Sequence, residues 1–229
     1  MNPLKNSVFC SCYRIILVTS VILLLNACSK LFSQETTSGN MKIYPSFGVA
    51  AGFFHPEDVN DYIAASLAIE GVTKQYGTTD MFANYEIHGG VTFRLKSMDF
   101  SGELAFAFAP KWIIVENGDN INFYFNRVSP GVSANYYIPM KSEKMDFFLG
   151  GGVQYHFMKF EDFKSSNPGF CLRAGVSMQF GRFNMQPNFS FLYAKSKDAI
   201  EGSQYDFEMN YTSGQIGIIM SFHPPIDRN

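Results

Sequence analysis

Glu86 and His88 stand two residues apart in a stretch that alternates apolar and polar side chains, so both project to one side of an extended chain. A carboxylate beside an imidazole is a starting point for general acid and base chemistry. Glu103, Arg127, His156 and Arg173 occupy the polar phase of similar stretches. Such groups become a catalytic site only beside a nucleophile or a metal, and here no Ser, His and acid share the spacing of a nucleophilic site. The histidines also lack companion ligands at close spacing. The sequence therefore predicts no catalytic residue, no metal and no cofactor. The remaining chemistry for Glu86, Glu103, Arg127 and Arg173 is electrostatic. They form either a charged constriction in a pore or ion pairs that fill one, with His88 and His156 adding hydrogen bonds.

The elements that carry these residues are strands. Residues 81–96 set Met81, Ala83, Tyr85, Ile87, Val91, Phe93 and Leu95 against Phe82, Asn84, Glu86, His88, Thr92, Arg94 and Lys96. Soluble strands average roughly five or six residues. A tilted strand that crosses a bilayer needs about nine to eleven, which this stretch exceeds. The same period of two recurs at residues 42–54, 99–108, 124–138, 145–158, 170–180, 183–193 and 205–222, giving eight predicted strands. Connections alternate between short (96–98, 139–144, 181–182) and long, more polar ones (55–80, 109–122, 159–169, 194–204). That alternation is expected of an outer-membrane barrel.

An eight-stranded barrel has an interior just wide enough for side chains, so the face with fewer large residues must point inward. The polar phase, rich in Gly, Ser, Ala, Asn and Gln, is that face, and Phe, Val, Leu and Ile are predicted to face lipid. In so narrow a lumen the four charges should pair, because isolated buried charges are costly, and a plug of salt bridges is favoured over an open pore. Outward aromatics near strand ends fit girdles at the two interfaces: Phe47, Phe93, Phe100, Tyr136, Phe147, Phe180, Phe183 and Phe222 at one, Phe53, Tyr85, Phe108, Tyr124, Tyr155, Phe170 and Tyr193 at the other. Pro45, Pro130 and Pro187 fall inside predicted strands, where each removes a ladder donor, and bulges are expected there.

One segment reads as a helix. Pro56 suits a first helical position, Glu57 and Asp58 complement the N-terminus, and Gly71 closes a span over residues 56–70 in the first long loop. Val59, Ile63 and Leu67 share a face that caps the barrel mouth, lies at the headgroups or meets a partner.

Composition narrows the class. The 229 residues carry a net charge of -2 and no basic block, which argues against nucleic acid as a partner. Residues 1–33 read as a secretory signal, with Lys5 and Arg14 before an apolar run at 15–25, followed by small residues. Cleavage after Ser33 competes with a lipobox at Leu25-Asn26-Ala27-Cys28, which would make Cys28 the lipidated residue. Cys10, Cys12 and Cys28 all lie in this leader, leaving Cys171 to be a small buried residue. Residues 34–40 are a linker, 41–222 the barrel and 223–229 a short tail.

With eight alternating strands, short and long connections in turn and a last strand ending in Phe222, the chain resembles the small outer-membrane β-barrels of Gram-negative bacteria, of the OmpA-transmembrane or OmpX type. The resemblance spans residues 42–222. It implies an all-β, eight-stranded antiparallel up-and-down transmembrane barrel in the outer membrane, with lipid around it and a protein partner as a candidate for the outer loops. The family usually places the terminal aromatic at or near the C-terminus, whereas here seven residues follow Phe222. The expected function is non-enzymatic: envelope structure or surface interaction. An outer-membrane enzyme acting on lipid or peptide is the alternative, and a lipid-anchored periplasmic β-protein is a third.

Overall fold

The computed structural model describes residues 41–55, 75–76, 82–95, 97–115, 120–142, 144–160, 163–199 and 206–222. The leader with Cys28, the helix expected at 56–70 and the tail at 223–229 lie outside the described residues.

Eleven strands are described: β1 (Met41–Phe54), β2 (Gln75–Tyr76), β3 (Phe82–Leu95), β4 (Met98–Val115), β5 (Asn120–Pro139), β6 (Met145–Phe160), β7 (Phe163–Phe180), β8 (Phe183–Tyr193), β9 (Lys195–Ala199), β10 (Asp206–Asn210) and β11 (Ser213–Phe222). Eight of them close a barrel in which β1, β3, β4, β5, β6, β7, β8 and β11 each pair antiparallel with the next, and β11 returns to β1. The closure leaves no free edge in the barrel wall, which satisfies every strand of a sheet that faces hydrocarbon. β2 adds to the outer part of β4, and β9 with β10 forms a separate hairpin beyond β8.

The period-two pattern turns directly into two faces. Phe47, Val49 and Phe53 on β1, Tyr85, Ile87 and Phe93 on β3, and Leu149, Val153 and Tyr155 on β6 are exposed on the outer surface. Glu86, His88, Ser129, Gln154, Arg173 and Asn188 are buried inside. The inward glycines create the room that long side chains need. A Cβ on Gly48 would sit inside the His88 ring, and one on Gly169 would meet His156. Gly181 has φ +62° in the tight turn between β7 and β8, a backbone conformation glycine takes at little cost.

Parts of all four long connections are strand instead. β4 continues to Val115 and β5 begins at Asn120, the two pairing as far as Ile114 with Asn120, while β6 and β7 meet at Phe160 with Phe163. Trp112, Ile113 and Ile114, opposite Asn122, Ile121 and Asn120, are β-formers that prolong the hairpin beyond Tyr124. The last predicted strand divides at Tyr211 and Thr212 into β10 and β11, and the Tyr211 N–H donates to the Ala194 carbonyl at 2.7 Å.

The prolines interrupt ladders without making the expected bulges. Val128 pairs with Phe157 and Gly131 with Gln154, so the β5–β6 register is the same on both sides of Pro130. Pro187 leaves the β7–β8 register unchanged between Gly175↔Asn188 and Met178↔Met185, and it stays in register with Ile218 on β11. Pro45 pairs with Val91 on β3, while the β1–β11 ladder begins one residue later at Ser46. Each proline directs its missing N–H toward one neighbour only. The intact ladder on the other side holds the register, so no extra residue is needed.

Candidate functional site

The interior is stratified along the barrel axis. At the end with short turns, the Arg94 guanidinium grips Asp99 through Nε and Nη2 at 2.6 and 2.7 Å. Tyr44 and Tyr137 each donate a hydroxyl hydrogen bond to Asp99 Oδ2, at 2.5 and 2.6 Å. The same guanidinium lies 5.5 and 4.5 Å from the centres of the Tyr44 and Tyr137 rings, so it is held by two aromatic faces as well as a carboxylate. Gln186 Nε2 donates to the Tyr137 hydroxyl at 3.0 Å and ties β8 into the cluster.

The middle layer contains the residues singled out from sequence. Arg173 on β7 reaches across to Glu103 on β4 with two hydrogen bonds, 2.8 and 2.7 Å, and Ser133 donates to the same carboxylate. Parallel donors from one guanidinium to one carboxylate are the strongest geometry such a pair adopts. Arg127 on β5 donates through Nη2 to Glu86 Oε2 on β3. His88 Nδ1 is 3.5 Å from the other oxygen of Glu86, long for a hydrogen bond. The structure thus brings Glu86, Arg127 and His88 into one group and Glu103 with Arg173 into another.

His156 belongs to neither group. Its Nδ1 is 2.8 Å from Ser129 Oγ, the residue it faces across the β5–β6 pair. This Ser and His contact was not read from the sequence, although the two share the inward phase of adjacent strands. Both side chains are fully buried, and among the described residues no acid is hydrogen-bonded to either. The charged side chain nearest in sequence is Arg127, two residues from Ser129 on the same inward face. A nucleophile must meet its substrate, and this pair borders neither of the two internal cavities described below.

Toward the end with long connections the lumen becomes apolar. Phe54, Phe82, Phe123, Phe125, Met158, Phe160, Leu192 and Tyr211 form one buried cluster with Ala107, Ala109, Cys171 and Ala194. Phe54 stacks on Tyr211 at 4.2 Å between centroids, and Tyr211 in turn stacks on Phe125 at 4.8 Å. The Arg127 guanidinium lies 4.6 Å from the Tyr211 ring centre, which joins the aromatic layer to the ion pairs below. Cys171 is a buried free thiol within this layer. Among the described residues, no group of three His, Cys, Asp or Glu side chains is placed to hold a metal ion.

No family model matches the sequence, and no curated protein matches it. Solved structures do match in fold. Neisserial surface protein A superposes with a TM-score of 0.52 at 13% identity, covering 78% of this chain and 96% of that one. The fold is that of a small outer-membrane β-barrel. OprG from Pseudomonas aeruginosa is also similar, with a TM-score of 0.43, 12% identity and coverage of 81% of this chain and 97% of that chain. Ail of Yersinia pestis follows at 0.39, 11% identity and coverage of 80% and 98%. The exposed belt of Phe, Tyr, Val, Leu and Ile on the barrel wall is the lipid-facing surface of this fold.

Proposed function

We propose that the protein is a non-enzymatic outer-membrane β-barrel of a Gram-negative bacterium, with a lumen closed by its own side chains, whose outer strand ends and loops serve envelope structure or surface interaction. Residues 41–222 form the barrel in this reading. The long connections face outside and the short turns face the periplasm, with lipid as the surrounding partner. The observation that carries the closed lumen is its layering. Glu86, Glu103, Arg127 and Arg173 pair across the middle with His88 beside them, His156 is held by Ser129, and stacked aromatics fill one end while the Arg94–Asp99 cluster fills the other. A conducting constriction would leave some of these charges facing water, whereas here Glu86, Glu103 and Asp99 are each engaged by a guanidinium.

The enzyme alternative finds its best support in Ser129 and His156, but a buried pair lacking an acid, with Arg127 two residues away, would oppose formation of the imidazolium that serine activation requires. The closed-lumen reading predicts that purified protein in planar bilayers gives no single-channel steps at neutral pH. Regular conductance steps from folded protein, lost when it is boiled, would overturn it.

A further inference from the structure

Two small polar cavities flank His88 inside the barrel. The first is bounded by Asn135, Ser221, Asp99, Glu103 and His88 itself, and the second by Gln154, Gln215, Arg173, Glu86 and His88. Each has room for about one water molecule. The walls offer polar atoms that no protein group satisfies. Asn135 Oδ1 and Ser221 Oγ belong to residues lining the first cavity, Gln154 Oε1 and Gln215 Nε2 to residues lining the second, and His88, whose Nδ1 lies 3.5 Å from Glu86, lines both. His88 is 7% exposed, so bulk solvent does not satisfy its ring.

An unsatisfied polar group at such depth is unfavourable by about 1 to 3 kcal/mol, and buried waters characteristically make about three hydrogen bonds to such groups. Both sites meet that requirement. The first combines a carbonyl acceptor, a hydroxyl and an imidazole nitrogen. The second combines a carbonyl acceptor, an amide donor and an imidazole nitrogen. An imidazole carries a hydrogen-bonding nitrogen on each side of its ring, so a single ring can serve a water on each side.

We infer that the lumen binds two structural waters, one in each cavity, and that His88 bridges them. The waters join the Asp99 layer to the Glu86 and Arg173 layer, completing a hydrogen-bond network that the side chains alone leave open. Gly48 is part of the device, because any side chain there would occupy the space of the His88 ring. The inference rests on the closed-lumen reading above.

The test is water-selective NMR on the full mature protein in detergent micelles, labelled with 15N-histidine. Cross-relaxation from water to the imidazole protons is read at each ring, and a His88→Gln variant assigns the His88 signals. Exposed His55 is the control for fast-exchanging solvent, and His156, held at Nδ1 by Ser129 and lining neither cavity, is the control for a ring outside the two sites. The expected result is cross-peaks at His88 with the sign of long-lived bound water, and none at His156. If His88 is as silent as His156, the cavities are dry and the inference falls while the closed lumen stands. If His88 shows the fast-exchange signature of His55, the lumen is open to bulk water and both readings fall.

Discussion

At the scale of single residues, the interior is held by charges that are individually unfavourable and paired with one another. Arg127 is 1% exposed and Glu86 7%, so neither charge is well solvated without the other. Removing one partner from a buried pair leaves an uncompensated charge, destabilising by about 3 to 5 kcal/mol, whereas replacing both with apolar groups of similar size is much milder. Urea unfolding in lipid vesicles should therefore show Glu86→Gln and Arg127→Met each lowering stability strongly. The double variant should lose less than either single one. Equal, additive losses would mean that the lumen is wet enough to solvate each charge alone. The sequence revealed the phase of these residues but not their partners. Glu103 and Arg173 lie on strands that are not neighbours, and only closure of the barrel brings them face to face. The Arg94 and Asp99 pair was closer to hand, since a tight turn at Ser97 places them opposite each other in register.

At the scale of elements, period-two alternation was enough to place all eight barrel strands and both faces, because a one-residue slip would exchange lipid and lumen along the whole strand. Strand ends were less legible. Residues 109–122 and 159–169 are polar enough to read as loops, yet a hairpin already in register extends wherever β-formers continue, as Trp112, Ile113 and Ile114 do opposite Asn122, Ile121 and Asn120. The aromatic layer was missed for a related reason. Phe54, Phe82, Phe123, Phe125 and Phe160 fall on the inward phase, but at strand ends where the polar rule for the middle of the barrel no longer applies. The barrel can accept them because the rings pack on one another there, Phe54 on Tyr211 and Tyr211 on Phe125. The lipid face allows a sharp prediction. Val132 and Val153 are cross-strand partners, 60% and 62% exposed, midway between the aromatic girdles. Val132→Arg should destabilise the folded barrel in vesicles by about 2 to 4 kcal/mol, as a cation at the bilayer midplane does. The same substitution at an outer strand end should have a much smaller effect. Indifference to arginine at Val132 would mean that this face is not in hydrocarbon.

At the scale of the whole molecule, the two faces make a cylinder that is apolar outside and filled within, the inverse of a soluble barrel. Fold similarity at 13% identity to Neisserial surface protein A speaks for that arrangement alone. The central claim is that the outer face of this cylinder meets lipid, and β3 tests it residue by residue. Nitroxide labels placed singly at residues 83–93, in a Cys171→Ser background and in lipid bilayers, report collision with oxygen, which concentrates in hydrocarbon. Accessibility should alternate with a period of two, high at Ala83, Tyr85, Ile87, Gly89, Val91 and Phe93 and low at Asn84, Glu86, His88, Gly90 and Thr92. A flat profile, or maxima at Glu86 and His88, would contradict the account.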